Sequence, residues 1–269
     1  MIYLTTRIRS IRLIILRVMK YRMMNTRNKI NRTIIHMLCV AAFWSFFSET
    51  KGQNQIYKVF EKSEWEQYHD SLYSNFSTKK RFVKEFELQS LIALSYYPEL
   101  KDVPITFRYL DIRTTMEVRP EFFSAIKNHN RSYIIFIGTN THKEGVLLKE
   151  VSFNAQIGVI GHELAHIMDF EQRSVKSLFL LGLDYVILRN HAKYEKSIDA
   201  FTIKQGLGWQ ELEFADYMEN KSKASVRYKR FKHINYLSSS DIEAEIAKMK
   251  MYSSFTSSKK MNDSLPEKQ

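Results

Sequence analysis

The chain of 269 residues reads as an α+β protein, with a small β-sheet followed by a mainly helical half. Two observations set that class. Pro104–Leu110 ("PITFRYL") and Ser132–Gly138 ("SYIIFIG") are strand-like runs, rich in β-branched and aromatic residues. After them, apolar residues recur at helical spacing as far as Met251. Strands first and helices after predict segregated layers rather than alternating βαβ units. At 44% hydrophobic, 26% charged and 13% aromatic, the composition is globular and sufficient for one sizeable core.

The elements follow in order. Gln55–Tyr73 and Thr78–Tyr96 have amphipathic helical spacing, the second stopped near Pro98. The two strands come next, and Tyr133–Ile137 serves either as an interior strand or as an edge that takes an extended peptide. A helix then runs from Ala155 to Phe170, with Asn154 as its N-cap. Gly158 and Gly161 interrupt it at roughly 1 kcal/mol each relative to Ala, which suits close approach of a neighbouring element. Val175–Arg189, a helix around Glu195, Trp209–Asn220 and Asp241–Met251 complete the helical half. Within the first of these, Ser177–Leu188 is apolar on nearly all sides except at Asp184. Its length reads as a buried core helix rather than a membrane-dipping one.

The domain plan is a leader over residues 1–52, a folded domain over 53–252 and a polar, disordered tail over 253–269. Net charge is +12, but residues 1–52 hold ten Lys/Arg against one acid, and the remainder holds 31 basic and 28 acidic residues. The excess is a property of the leader, which argues against a nucleic-acid partner. Inside the leader, Thr33–Phe47 is an apolar stretch of fifteen residues behind a basic segment. That is the form of a secretory signal, cleaved before Gln53, or of an uncleaved signal anchor. Export to a periplasmic or extracellular location is expected, with membrane association through this segment. Cys39, the one cysteine, lies in the same stretch, so the folded domain contains no disulfide.

His162-Glu163-Leu164-Ala165-His166 has the form H-E-x-x-H within the Ala155–Phe170 helix. Imidazoles four residues apart lie about 40° apart around a helix, so both can reach one Zn²⁺. Glu163 is offset by roughly 100°, beside the metal rather than on it, where it can take a proton from an attacking water. Ile157, Ile160, Leu164, Ile167 and Met168 form the back face of the helix, and His162, His166 and Asp169 the front. A catalytic zinc needs a third protein ligand. The pattern with a third histidine six residues beyond His166 is ruled out, because Gln172 stands there. His191 stands alone at a helix start. Glu195 and Asp199 share one helical face, flanking an apolar stripe of Tyr194, Ile198 and Phe201.

This combination resembles the gluzincin metallopeptidases: H-E-x-x-H on one helix, then E-x-x-x-D on a second. "YEKSIDAFTIKQGLG" is most similar to the E-x-x-A-D segment of the membrane-associated M48-type branch, with Ile198 where that branch has Ala. The likeness covers Asn154 to Gly208, roughly a fifth of the chain. It implies a zincin-like metallopeptidase fold, a Zn²⁺ cofactor held by His162, His166 and Glu195, and Glu163 as general base. It further implies that Asp199 accepts a hydrogen bond from a liganding histidine, and that the substrate is a peptide or protein. The competing reading is a non-catalytic, zinc-stabilised, membrane-anchored interaction module. Glu163 speaks against it, since a structural site has no use for a carboxylate beside an open position. For stabilising an oxyanion the sequence offers His233, Tyr228 and Arg227, and nothing in it selects among them.

Overall fold

In the computed structural model, which describes residues 55–127, 130–139, 145–183 and 191–253, the sheet has four strands. These are β1 (Lys80–Arg81), β2 (Ile105–Leu110), β3 (Met116–Pro120) and β4 (Tyr133–Gly138). Their order is β1-β2-β4-β3, with β1, β2 and β4 parallel and β3 antiparallel to β4. The leader, the tail from residue 254 and residues 184–188 of the long apolar run lie outside the described residues.

Strand β4 is interior. Ile105 registers with Tyr133 on one side, and Met116 with Ile137 on the other. The edge reading of Tyr133–Ile137 is thereby corrected, because a strand paired on both sides has no backbone groups to offer a peptide. Its alternate residues Tyr133, Ile135 and Ile137 are buried, beside Ile105 and Phe107 of β2 and Met116 and Val118 of β3. Sequence reading missed β3 because "MEVRP" is short, carries two charges in five residues and is closed by Pro, the composition that suits an edge.

Four short helices precede or interleave with the strands: α1 (Lys62–Glu66), α2 (His69–Phe76), α3 (Glu87–Ser95) and α4 (Phe122–Ala125). The long helices expected over Gln55–Tyr73 and Thr78–Tyr96 are shortened at their starts. Residues 55–60 are not helical, and Ile56, Tyr57 and Phe60 are all buried along this segment. Its Phe60 main chain exchanges two hydrogen bonds with the Asn154 side chain, at 2.7 and 3.2 Å.

Helix α5, Phe153–Gln172, is the axis of the domain. Its N-cap is Ser152, whose hydroxyl accepts from the Ala155 amide at 3.1 Å, and not Asn154, which is committed to Phe60. The expected back face, Ile157, Ile160, Leu164 and Ile167, is fully buried in the main core. At the other end, the buried Arg131 guanidinium donates to the Phe170 carbonyl at 2.6 Å and the Arg173 carbonyl at 2.9 Å. A cation there satisfies terminal carbonyls and opposes the negative end of the helix dipole.

The remaining helices are α6 (Val175–Leu183), α7 (His191–Thr202), α8 (Gly208–Asp216), α9 (Val226–Asn235) and α10 (Ser239–Lys248). A π-turn, Ile203–Leu207, joins α7 to α8, with Gly206 at φ +110° where an L side chain would be strained. Close approach is what Gly158 provides: a Cβ there would come within 2.5 Å of the Gln210 carbonyl on α8. Helix α6 departs from the buried core helix expected of it, since Phe179 is 66% and Leu180 52% exposed. An apolar surface all round a helix cannot say which neighbours cover it, and none of its described residues is buried. No helix among the described residues is long and apolar enough to cross a membrane.

Candidate metal centre

Helix α5 carries His162, Glu163 and His166, and α7 brings Glu195 and Asp199 against them; all five are buried. Three atoms converge. His162 Nε2 lies 3.2 Å from Glu195 Oε2, His166 Nε2 lies 3.4 Å from the same oxygen, and the two Nε2 atoms are 3.1 Å apart. Donors arranged tetrahedrally at 2.0–2.1 Å from a zinc are about 3.3 Å from one another. The triangle therefore has the dimensions that such an ion requires, and the donor set, two imidazoles and a carboxylate, could hold a metal.

The far ring nitrogens explain why the near ones face inward. His162 Nδ1 sits 2.9 Å from Asp199 Oδ1 and 3.9 Å from Glu211 Oε1. His166 Nδ1 lies 3.3 Å from the Tyr194 hydroxyl, which donates to Asp169 at 2.9 Å. Asp169 is in turn gripped by Arg173 at 2.6 and 3.0 Å. Holding a metal would require protons on the two Nδ1 atoms, which face Asp199 and Tyr194, so that both Nε2 lone pairs were free for the centre. His191 opens α7 but is not among the convergent groups, and Asp169 serves Tyr194 and Arg173.

Burial and charge act strongly here. Burial opposes a proton on His162, yet Asp199 and Glu195 outweigh it and hold the imidazole well above its ordinary value. Although burial disfavours its charge, the two histidines keep the Glu195 carboxyl far below the usual carboxylate range. Glu163 shifts the other way, pushed up by burial against the pull of both histidines.

Glu163 belongs to a recess of about 20 Å³ beside the triangle, with room for one water. Thr115 and Met116 line it from the start of β3, and Glu211, Phe214, Lys232 and Tyr236 from the helical side. Lys232 Nζ stands 3.4 Å from the centroid of the Tyr236 ring and 5.4 Å from that of Phe214. The Tyr236 ring lies 5.6 Å from that of His162. Thr115 Oγ1 and Glu211 Oε2 are buried without a hydrogen-bond partner, the state of groups that await a water or ligand.

The three residues offered by sequence for oxyanion stabilisation do not line this recess. Arg227 is exposed, Tyr228 is buried against Phe231, and His233 lines an adjoining cavity. The residues that do line it, Lys232 and Tyr236, follow Tyr228 at spacings of four. The basic composition of α9 hides this spacing, and Tyr236 is the extended residue that follows the helix. Glu211 had no local signal at all; only tertiary folding brings it to His162. In comparisons with family models, with curated proteins and with solved structures, the chain matches none.

Proposed function

We propose that the protein is a zinc-dependent peptidase with a zincin-like domain. The observation that carries this reading is the buried triangle of His162 Nε2, His166 Nε2 and Glu195 Oε2, with Glu163 beside it and outside it. Bound zinc supplies Lewis-acid polarisation of the scissile carbonyl and makes water easier to deprotonate. The chain's residues do the rest. Glu163, with its raised proton affinity, takes the proton of the attacking water and delivers it to the leaving amine. Lys232, which lines the recess and carries a positive charge, would stabilise the oxygen that gains charge.

A substrate needs an extended backbone to reach this recess, and β3 offers one. Among the described residues it is the sheet edge, paired with β4 on one side only, and its first residue Met116 lines the recess. Strand addition along β3 would lay a peptide across Glu163. This edge takes over the role that sequence had offered to Tyr133–Ile137. Three protein ligands and an adjacent water-sized recess favour a catalytic over a structural site, which is normally closed by four. The substrate class is peptide or protein, with no nucleic-acid partner, and the basic, apolar leader carries the domain out of the cytoplasm.

The test is metal content and peptide hydrolysis on the full chain. About one zinc per chain is expected, with activity abolished by a chelator and restored by Zn²⁺. Glu195→Ala is expected to lose most of both. Full zinc and activity in Glu195→Ala would remove it as a ligand.

A further inference from the structure

Beside the recess opens a second cavity of about 400 Å³, the size range of specific ligand pockets. The two share four wall residues: Glu211, Phe214, Lys232 and Tyr236. These four side chains form the partition between the two spaces, so an occupant of the cavity lies one side chain away from the recess that holds Glu163. Phe214, Ala215 and Met218 of α8 and the following π-turn form an apolar floor, with the exposed Val226 at its margin. The rim is cationic. Lys229 and Arg230 stand on α9 beside Lys232, and α9 contains four Lys/Arg and no acid.

Two carboxylates also stand in the wall. Glu219 accepts from the Ser239 amide and hydroxyl at 3.0 and 2.6 Å, at the start of α10. Glu211 is turned toward His162, at 3.9 Å. Lys229 Nζ donates to the Glu219 carbonyl at 3.4 Å and Glu219 keeps its charge, so with Lys229, Arg230 and Lys232 against it the rim above the apolar floor is net positive. A free anion would waste the floor, and a purely apolar ligand would leave the rim without a counter-charge.

We infer that this cavity selects the substrate: it takes a large apolar side chain next to the cleaved bond, and its rim requires acidic residues beside that side chain. The inference rests on the peptidase reading for the word substrate, but its test reads binding alone. Full-length Glu163→Gln protein is titrated with three fluorescent peptides of equal length. One places Leu between Asp residues, one places Leu between Lys residues, and one places Gly between Asp residues.

The Asp-Leu-Asp peptide is expected to bind at least tenfold tighter than either control. Lys229→Glu with Arg230→Glu, on the partly and fully exposed rim, is expected to erase the preference for Asp over Lys. Ala215→Trp, which fills the floor, is expected to erase the preference for Leu over Gly, and the rim variant carries the test if this one does not fold. Equal binding of all three peptides overturns the inference. So does displacement of the peptide by phosphatidylserine vesicles that lose affinity in the same rim variant, since the rim would then serve a lipid surface. Selective binding without hydrolysis by the wild type would leave the cavity assigned and the peptidase reading refuted; hydrolysis without selectivity would do the reverse.

Discussion

Asp199 holds two parts of the centre at once: its Oδ1 lies 2.9 Å from His162 Nδ1, and its Oδ2 accepts from the Leu237 amide at 2.7 Å. One fully buried carboxylate therefore meets both the ring of His162 and the chain that carries Tyr236. Asp199→Asn keeps the shape and removes the charge. It is expected to weaken zinc binding about 10- to 100-fold, the usual cost of losing a carboxylate behind a liganding histidine. Competition against a chromophoric chelator measures this, with circular dichroism to confirm the fold. Unchanged affinity would mean that the imidazole is oriented without Asp199.

Glu211 makes stability depend on pH. Burial first, and then the charge of Asp199, push its carboxyl up to about 8, from an ordinary value of 4.5. A group whose folded value is raised contributes its full stability below the unfolded value and loses it as pH rises through the folded one. In chelator-treated protein, Glu211→Gln is therefore expected to be the more stable form at pH 8.5, by a few kcal/mol. The advantage should shrink steadily as pH falls toward 4.5. Denaturant melts of both proteins across that window give the answer, and a difference independent of pH would show that Glu211 is solvated or paired.

Gly158 tests the packing of α5, the helix that carries His162, Glu163 and His166. A Cβ there meets the Gln210 carbonyl carbon and oxygen at 2.5 Å, and backbone cannot swing aside as a side chain can. Gly158→Ala gains helix propensity of about 1 kcal/mol but is expected to lose more through the clash, for a net destabilisation of about 1–3 kcal/mol. Thermal and urea unfolding measure it. A more stable variant would mean that α5 and α8 can part without cost.

What could be read from the sequence was what is local. H-E-x-x-H and the Glu195/Asp199 pair each lie within one helix, and His162 and His166, paired by spacing, converge with Glu195, which the gluzincin resemblance had singled out. Features set by distant partners escaped. Asn154 looks like a cap, but its partner Phe60 is 94 residues away. Strand β3 has no apolar run, because an edge strand is buried on fewer sides. Helix α9 is so basic that no apolar stripe marks it, and with α9 went Lys232 and Tyr236. Helix α6 shows the opposite failure: its apolar surface promised burial, and Phe179 and Leu180 are exposed.

The most direct measurement compares wild type with Glu163→Gln in hydrolysis of a broad peptide library, with zinc content determined on the same samples. Glutamine keeps the size and hydrogen bonding of Glu163 and removes its capacity to accept a proton. Zinc content and fold are expected to stay the same while turnover falls by about 10²- to 10⁴-fold, the contribution of a positioned general base. Equal turnover in the two proteins, or none in a zinc-loaded wild type at any pH, would contradict the proposed chemistry.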